Sequence, residues 1–216
     1  SKTRTGGLLG GDAPLQISSR YFVYDAATST ARYGENALLR AGKDEIRGNR
    51  IQLQEKDGQR KLTAAGGVVA LLHPRGEGQQ GQPLDARASE MNYDEAARRA
   101  VFRGDTSIRQ GEMATRSPEA TLMLDAENGA LESLVGGSPV DVTFGQRRAS
   151  GAKATYTPGN GTLTIVGDKV RMKDPEQEIE GRSLTLHLGD DRILVDGQEQ
   201  VRTQTIIRGR KEPPRP

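Results

Sequence analysis

Apolar and polar residues alternate along several stretches of the chain. Leu184, Leu186 and Leu188 are separated by polar residues, and Val140 and Val142 repeat the pattern. A period of two is typical of a β-strand, whose successive side chains point to opposite faces of the sheet. The pattern therefore predicts strands with one face on an apolar interior and the other face in water.

A degenerate motif occurs three times along the chain. Each copy has a tyrosine followed 10 or 11 residues later by a glycine: Tyr24 and Gly34, Tyr93 and Gly104, Tyr156 and Gly167. Another glycine follows in the first and third copies, at Gly48 and Gly181, whereas the middle copy has Pro118 at that place. Each copy closes with a turn and a returning strand, at Asp57-Gly58, Asn128-Gly129 and Asp190-Asp191. Asp-Gly and Asn-Gly between apolar runs are strong hairpin signals, because both central residues of a type I′ turn have positive φ. The repeat predicts one domain built from β-hairpins.

Two segments conflict with this pattern. Residues 89–100 are rich in helix formers, and local propensity alone predicts a helix there. Their register with the other two copies favours strand, turn and strand instead, and this is the interpretation we prefer. Residues 117–119, Ser-Pro-Glu, resemble the start of a helix with proline at its first position, so a short helical turn is compatible with the sequence there.

The composition narrows the architecture and the possible partners. Only 33% of the residues are hydrophobic and 4% aromatic, which favours a thin, elongated all-β domain over a large α/β enzyme with a thick core. Lys and Arg number 31 against 29 for Asp and Glu, and this near balance gives no general attraction to nucleic acid. The longest apolar run, residues 68–72, is far shorter than the ~18 residues of a membrane span. We expect neither an anchor nor a signal peptide in this sequence.

Residues typical of catalytic and metal sites are scarce. There is no cysteine, and neither His73 nor His187 has a second ligand at metal-binding spacing. Residues 76–81 match the G-x-G-x-x-G dinucleotide fingerprint, but Gln82-Pro83 follows where a helix must begin. Most carboxylates fall at predicted turns, where Asp commonly bonds to the backbone, although a glycosidase pair that meets only in the folded chain remains an alternative. We predict no enzyme activity, no catalytic residues, no cofactor and no metal.

The order of these elements resembles the OstA-like superfamily, the periplasmic lipopolysaccharide-transport proteins of the LptA and LptC type. The shared features are the tyrosine turn, the alanine-to-glycine return, the I-x-G-x-x-L/I-x-L strand at 46–53 and 179–186, the Asp/Asn-Gly turn and a G-x-V-like strand. The resemblance covers about residues 15–207 and departs from the family at the 76–83 loop and at Pro118.

The resemblance implies an open, twisted β jelly roll, in which two antiparallel sheets built from hairpins fold over an apolar groove. It implies a non-enzymatic periplasmic carrier of a Gram-negative cell, which binds the lipid A acyl chains of lipopolysaccharide and passes them towards the outer membrane in a transport bridge. The implied partners are lipopolysaccharide and other OstA-like proteins joined through edge strands, including a head-to-tail homo-oligomer. Residues 1–14 are then a flexible N-terminal segment, and 208–216 a disordered, basic and proline-rich tail.

Alternation within the strands selects eight residues for the acyl-chain groove. They are Ile51, Leu53, Leu122, Leu124, Val140, Val142, Leu184 and Leu186. For each of them, plain core packing stays open as an alternative. Two functional alternatives also stay open: a β-repeat scaffold or adhesin with a filled core, and the soluble domain of an inner-membrane-anchored LptC-type protein. A β-helix enzyme is disfavoured, because the motif spacing is longer than a β-helix rung.

Overall fold

The computed structural model describes residues 14–73, 82–126, 129–175, 177–189, 192–196 and 204–207. Within these ranges the chain forms sixteen β-strands, one short 3-10 turn at Pro158–Asn160 and no α-helix, which confirms the all-β prediction. None of the described segments is a helix long and apolar enough to span a membrane. The strands are β1 (Leu15–Ser18), β2 (Tyr21–Asp25), β3 (Thr30–Ala41), β4 (Asp44–Lys56), β5 (Gln59–Leu72), β6 (Leu84–Asp94), β7 (Arg99–Gln110), β8 (Met113–Leu124), β9 (Leu131–Gly136), β10 (Val140–Phe144), β11 (Arg147–Gly151), β12 (Lys153–Thr157), β13 (Thr162–Lys173), β14 (Gln177–His187), β15 (Arg192–Asp196) and β16 (Gln204–Ile207).

The long strands carry bulges near their middles. The register shifts between Gly34 and Ala37 on β3, and between Arg47 and Arg50 on β4, and comparable shifts follow in the pairs from β5 to β8 and in the β13–β14 pair. The two ends of such a strand can have different neighbours: β7 runs along one side of β8, whereas on its other side the first half of β8 pairs with β10 and the second half with β9. Because a bulge interrupts the ladder and increases the local twist, the line of bulges divides the sheet into two halves.

The two halves differ in strand order. The first half-sheet runs β1-β3-β4-β5-β6-β7-β8-β10-β11-β13-β14-β16, and the second runs β2-β3-β4-β5-β6-β7-β8-β9-β12-β13-β14-β15. Every pair is antiparallel. Hydrogen bonds join the halves into one continuous sheet, because the long strands contribute to both.

The bulges also turn both halves of a strand towards the same interior. Ile46 and Ile51 on β4 are both at most 1% exposed, although they are five positions apart, and an odd spacing places two residues on opposite faces of a regular strand. Ala88 and Met91 on β6 are likewise both buried. Since the described residues contain no α-helix to cover the buried face, the two half-sheets cover each other. This is the arrangement of an open β jelly roll.

The two ambiguous segments are both strands. Residues 89–100 contain the end of β6, a four-residue turn and the start of β7, which confirms the interpretation from the repeat register. The helical turn considered at 117–119 is wrong, because β8 runs through these residues and Pro118 lies in its bulge. Proline has no backbone N–H to donate. At a bulge the regular hydrogen-bond ladder is already interrupted, so the missing hydrogen bond costs little there.

The turns follow the predicted chemistry where the structure describes them. Asp57 and Gly58 have φ of 53° and 74°, as a type I′ hairpin turn requires. The carboxylates of Asp25 and Asp94 each accept a hydrogen bond of 3.0 Å from a backbone N–H of the following turn, which confirms the turn role predicted for them. The glycine-rich loop at 76–81, the turn residues Asn128, Asp190 and Asp191, and the terminal segments 1–13 and 208–216 lie outside the described residues.

Candidate functional site

The interior between the half-sheets is a single apolar cluster. It extends from Ala37 on β3 to Leu186 on β14 and takes buried side chains from both half-sheets. Phe102, Met91 and Ile108 are completely buried within it. This interior is the candidate site, because the alternating apolar residues of the sequence were expected to line it.

A continuous row of side chains crosses the second half-sheet. Each member lies directly opposite the next in the strand register, and we call this set the apolar row: Leu53, Leu62, Tyr93, Ala100, Leu122, Leu134, Tyr156, Leu163 and Leu186. With neighbouring strands ~4.8 Å apart, a row across nine strands is about 40 Å long. Three of the eight predicted groove residues, Leu53, Leu122 and Leu186, belong to it.

The other five predicted residues line the same interior. Ile51 and Leu184 lie in the adjacent row, nearer the bulges, and Leu124 lies nearer the turns. Val140 and Val142 lie on the first half-sheet, where they belong to the same core cluster. The structure thus brings all eight residues to one cluster, seven of them at most 3% exposed and Leu53 partly buried.

Alternation in the sequence does not select several residues of the interior, Phe102 above all. It follows Ala100 and Val101, and a run of three apolar residues does not indicate which of them point inwards. The signal that selects Phe102 is its cross-strand register, since it lies opposite Met91 and Ala120. The residue pairs of two strands can be counted outwards from their hairpin turn, but each bulge shifts the count, so its position must already be known.

The two half-sheets differ in polarity on their inner faces. The first half-sheet buries Thr106, Thr115, Ser117 and Gln110. The hydroxyl of Ser117 donates a hydrogen bond of 2.7 Å to the carbonyl oxygen of Glu119. Buried hydroxyls of this kind are stable when they are bonded. The second half-sheet carries the apolar row instead, and it is therefore the more apolar of the two surfaces.

Tyr156 is a polar-tipped member of the apolar row. Burial raises the pKa of its phenol above the ordinary value of 10.0, so the side chain stays neutral across the physiological range. Its neighbours across the strands are Leu134 and Leu163. A neutral phenol between two leucines keeps the row free of charge.

Most charged side chains lie on the outside of the described fold, and the buried Asp44 on β4 accepts a hydrogen bond of 2.7 Å from the backbone N–H of His73. The pKa of Glu45 lies below its ordinary value because Arg47 and Arg40 donate hydrogen bonds to it. The pKa of Glu180 is lowered in the same way by Arg171 and Lys169. Among the residues that the structure describes, no group of three or more His, Asp or Glu side chains is placed to hold a metal ion.

Both ends of the sheet present edge strands. Among the described strands β2 pairs with β3 alone, and its four consecutive large side chains Tyr21, Phe22, Val23 and Tyr24 are between 45% and 57% exposed. At the other end β15 has β14 as its one partner within the described part of the chain, and its Leu194 is 60% exposed. Exposed apolar edge strands are surfaces on which a further strand can pair.

Comparison with known proteins identifies the family. The model of the family described as LptA/(LptD N-terminal domain) LPS transport protein matches residues 85–192, half of the chain. Among solved structures, the chain is similar to LptH, the LptA homologous periplasmic component of the conserved lipopolysaccharide transport device from Pseudomonas aeruginosa. The identity is 12% and the TM-score 0.28, over 92% of this chain and 97% of that chain. None of the curated proteins matches the chain.

The family match confirms the resemblance found in the repeat. It also agrees with the absence of catalytic motifs in the sequence, since the proteins of this family are carriers rather than enzymes. The chain belongs to the LptA/LptD N-terminal family of lipopolysaccharide transport proteins.

Proposed function

We propose that this protein is a periplasmic carrier that holds the acyl chains of lipopolysaccharide in its interior and passes them along a transport bridge. The observation that carries the proposal is the apolar row, which gives an uncharged path across nine strands of the second half-sheet. The family assignment supports the choice of lipid. All eight residues selected from the sequence line this interior, and we propose that they contact the acyl chains.

The energetics fit a carrier without a catalytic site. Removing an acyl chain from water is worth ~0.8 kcal/mol per methylene, so a lipid with several chains needs a shield when it leaves a membrane. Successive positions along the apolar row offer similar surroundings, and a lipid can move between them without a deep energy minimum. The free energy that sets the direction of transport then comes from another component.

Entry of a lipid requires the half-sheets to move apart. Phe102, Leu62 and Leu122 are at most 1% exposed, so the interior is closed by its own side chains. Protein interiors are close-packed, and an acyl chain must therefore replace side-chain contacts rather than fill a void. Alanines such as Ala64 and Ala100 in the interior keep the number of contacts to be replaced small.

The same closure favours a second candidate function. A β-repeat scaffold that binds no lipid would also have an interior filled by its own side chains. The two candidates differ in whether the half-sheets open to admit acyl chains, and the following experiment separates them.

A photo-crosslinking amino acid placed at Leu53 tests the proposal. Leu53 is partly buried, and its neighbour Gln52 on the same strand is exposed and points outwards. With purified lipopolysaccharide, we expect p-benzoylphenylalanine to form a lipid adduct at position 53 and none at position 52. Equal labelling at the two positions, or no adduct at 53 in a folded variant, would favour the filled scaffold.

The strand order supports assembly into a bridge. Counting only described residues, each half-sheet contains twelve strands in antiparallel order, an even number. The strands at the two ends of a half-sheet therefore run in opposite directions, so β15 of one copy can pair with β2 of the next and continue the antiparallel order. The same holds for β16 and β1 in the first half-sheet. Such head-to-tail contacts do not close on themselves, and they produce rods.

A further inference from the structure

A concave surface on the outer face of the first half-sheet lies outside the interior described above. It is a depression of about 570 Å³ over strands β7, β8, β10, β11, β13 and β14. We call it the cationic depression and define it by its four basic residues Arg109, Arg116, Arg148 and Lys173. A fifth, Arg171, borders it and is held by Glu180 at 2.7 Å.

Short side chains form the floor of the cationic depression. The strand register gives two transverse rows on this face, one through Arg109, Ala114, Thr143, Arg148 and Lys173, and the other through Ser107, Arg116, Asp141, Ser150 and Arg171. Ala114 and Thr143 occupy the middle of the first row between Arg109 and Arg148, and Asp141 and Ser150 lie between Arg116 and Arg171 in the second. The surface is thus concave where short outward-facing side chains lie between long basic ones.

The charges of the depression are not balanced within the described chain. Arg109, Arg116, Arg148 and Lys173 form no ion pair with any residue that the structure describes. Five basic side chains line the surface against two carboxylates, Asp141 and Glu178. Most other arginines of the outer faces have a carboxylate beside them, as Arg103 has Glu119 at 2.7 Å.

Two of the four basic residues have a carboxylate directly opposite them, Lys173 with Glu178 and Arg116 with Asp141, but the register also sets two like charges against each other. Arg148 lies directly opposite Lys173 in the β11–β13 pair. Like charges at directly opposed positions of a sheet are destabilising. An anion placed between the two side chains removes the repulsion and adds charge-assisted hydrogen bonds, which are the strong ones that guanidinium groups make with phosphate.

We propose that the cationic depression binds a phosphate-bearing saccharide, namely the phosphorylated sugars of lipopolysaccharide. Its volume lies in the range of small-molecule sites, roughly 300–1,000 Å³, and suits a sugar phosphate. The row containing Arg109 and Arg148 lies beside the turns at Gly111 and Gly145, which end the first half-sheet. A lipid with its acyl chains between the half-sheets has its sugars outside, next to such turns. The choice of ligand therefore rests on the proposed function.

Titration with a de-acylated saccharide tests the inference separately from the acyl-chain site. The probe is lipopolysaccharide from which all acyl chains have been removed and the phosphates retained, measured by calorimetry on the full chain. We expect binding that weakens as salt is added, because exposed charges are screened. Replacing two arginines in Arg116→Gln/Arg148→Gln should weaken it by about tenfold or more, as expected when charge-assisted bonds are lost.

A matched variant provides the control. Arg50 and Arg99 are exposed arginines at outward positions of the second half-sheet, so Arg50→Gln/Arg99→Gln makes the same change in net charge elsewhere. Its affinity for the phosphorylated saccharide should equal that of the unaltered protein. Equal loss in both double variants would mean a nonspecific charge effect and would overturn the inference.

Two further outcomes keep the test decisive. Removing the phosphates from the saccharide should abolish binding, and undiminished binding of the dephosphorylated saccharide would contradict a cationic site. In the unaltered protein, amide signals of Ser107, Thr143 and Ser150 should shift on titration, whereas shifts confined to the second half-sheet would contradict the location. Adducts at Leu53 with intact lipopolysaccharide depend on the interior alone, so failure of the depression and failure of the carrier proposal are distinguishable.

Discussion

The ring of Tyr21 on edge strand β2 lies over Gly34, the residue directly opposite it on β3. A Cβ atom added to Gly34 would overlap the ring, so this position accepts no side chain while the tyrosine keeps its place. Glycine in a strand has no side chain to pack against its neighbours, and an aromatic ring that covers it from the adjacent strand stabilises the sheet there. The relationship gives one physical reason for the first glycine of the repeated motif.

Gly34→Ala should loosen β2 without unfolding the sheet. The added methyl group forces the Tyr21 ring away from β3, and the edge strand loses that packing. We expect faster hydrogen exchange of the β2 amides and little change in β4 and β5. Gly159→Ala is the control, since a Cβ there meets nothing within 4 Å, and it should leave exchange in β2 unchanged. Equal protection of β2 in both variants would mean that the tyrosine ring contributes no stability.

Val23→Lys should weaken end-to-end assembly. Val23 is 50% exposed on edge strand β2, and a lysine on an edge strand opposes pairing with a further strand. Sedimentation over a range of protein concentrations should show rods for the unaltered chain and a shift towards monomer for the variant. Gln52→Lys adds the same charge on the central strand β4 and should assemble normally. If Val23→Lys forms rods over the same range of protein concentrations as the unaltered chain, edge strand β2 is not the contact.

The sequence predicted the strands better than it predicted their bends. Alternation around Leu184 and the positions of the hairpin turns were sufficient for strand type, and the repeat corrected the helical propensity of residues 89–100. The bulges were not predictable, because a bulge depends on the pairing of both strands, and so the shared orientation of Ile46 and Ile51 could not be read from spacing.

The candidate site shows the same limit. The eight residues selected from the sequence line the interior because each belongs to a locally alternating stretch. Phe102 was missed because its neighbours Ala100 and Val101 are also apolar. The cationic depression depends on Arg109, Arg116, Arg148 and Lys173, which come from four strands, and only the register brings them together.

Acid should weaken the fold partly through Asp94. Its pKa lies below the ordinary value of 3.8, first because the backbone N–H of Ala97 donates a hydrogen bond to it and second because of Lys61. A lowered folded-state pKa contributes stability above the unfolded value, and this contribution is lost as the pH falls through the folded value. Asp94→Asn should therefore be less stable than the unaltered chain at pH 7 and lose less stability below about pH 4. Urea unfolding at the two pH values measures this difference, and parallel losses in both proteins would exclude Asp94 as a contributor.

Arg148→Gln should stabilise the free protein. The substitution removes the repulsion between Arg148 and Lys173, and we expect the free energy of unfolding to rise by a few tenths of a kcal/mol, up to about 1 kcal/mol, at low ionic strength. Arg171→Gln on the same face is the control with the opposite sign, because Arg171 lies 2.7 Å from Glu180 and its loss should not stabilise. Added salt should reduce the gain of Arg148→Gln, since screening already weakens the repulsion in the unaltered chain. A gain of equal size in both variants, or one that salt does not change, would mean that the Arg148–Lys173 pair is not under electrostatic strain.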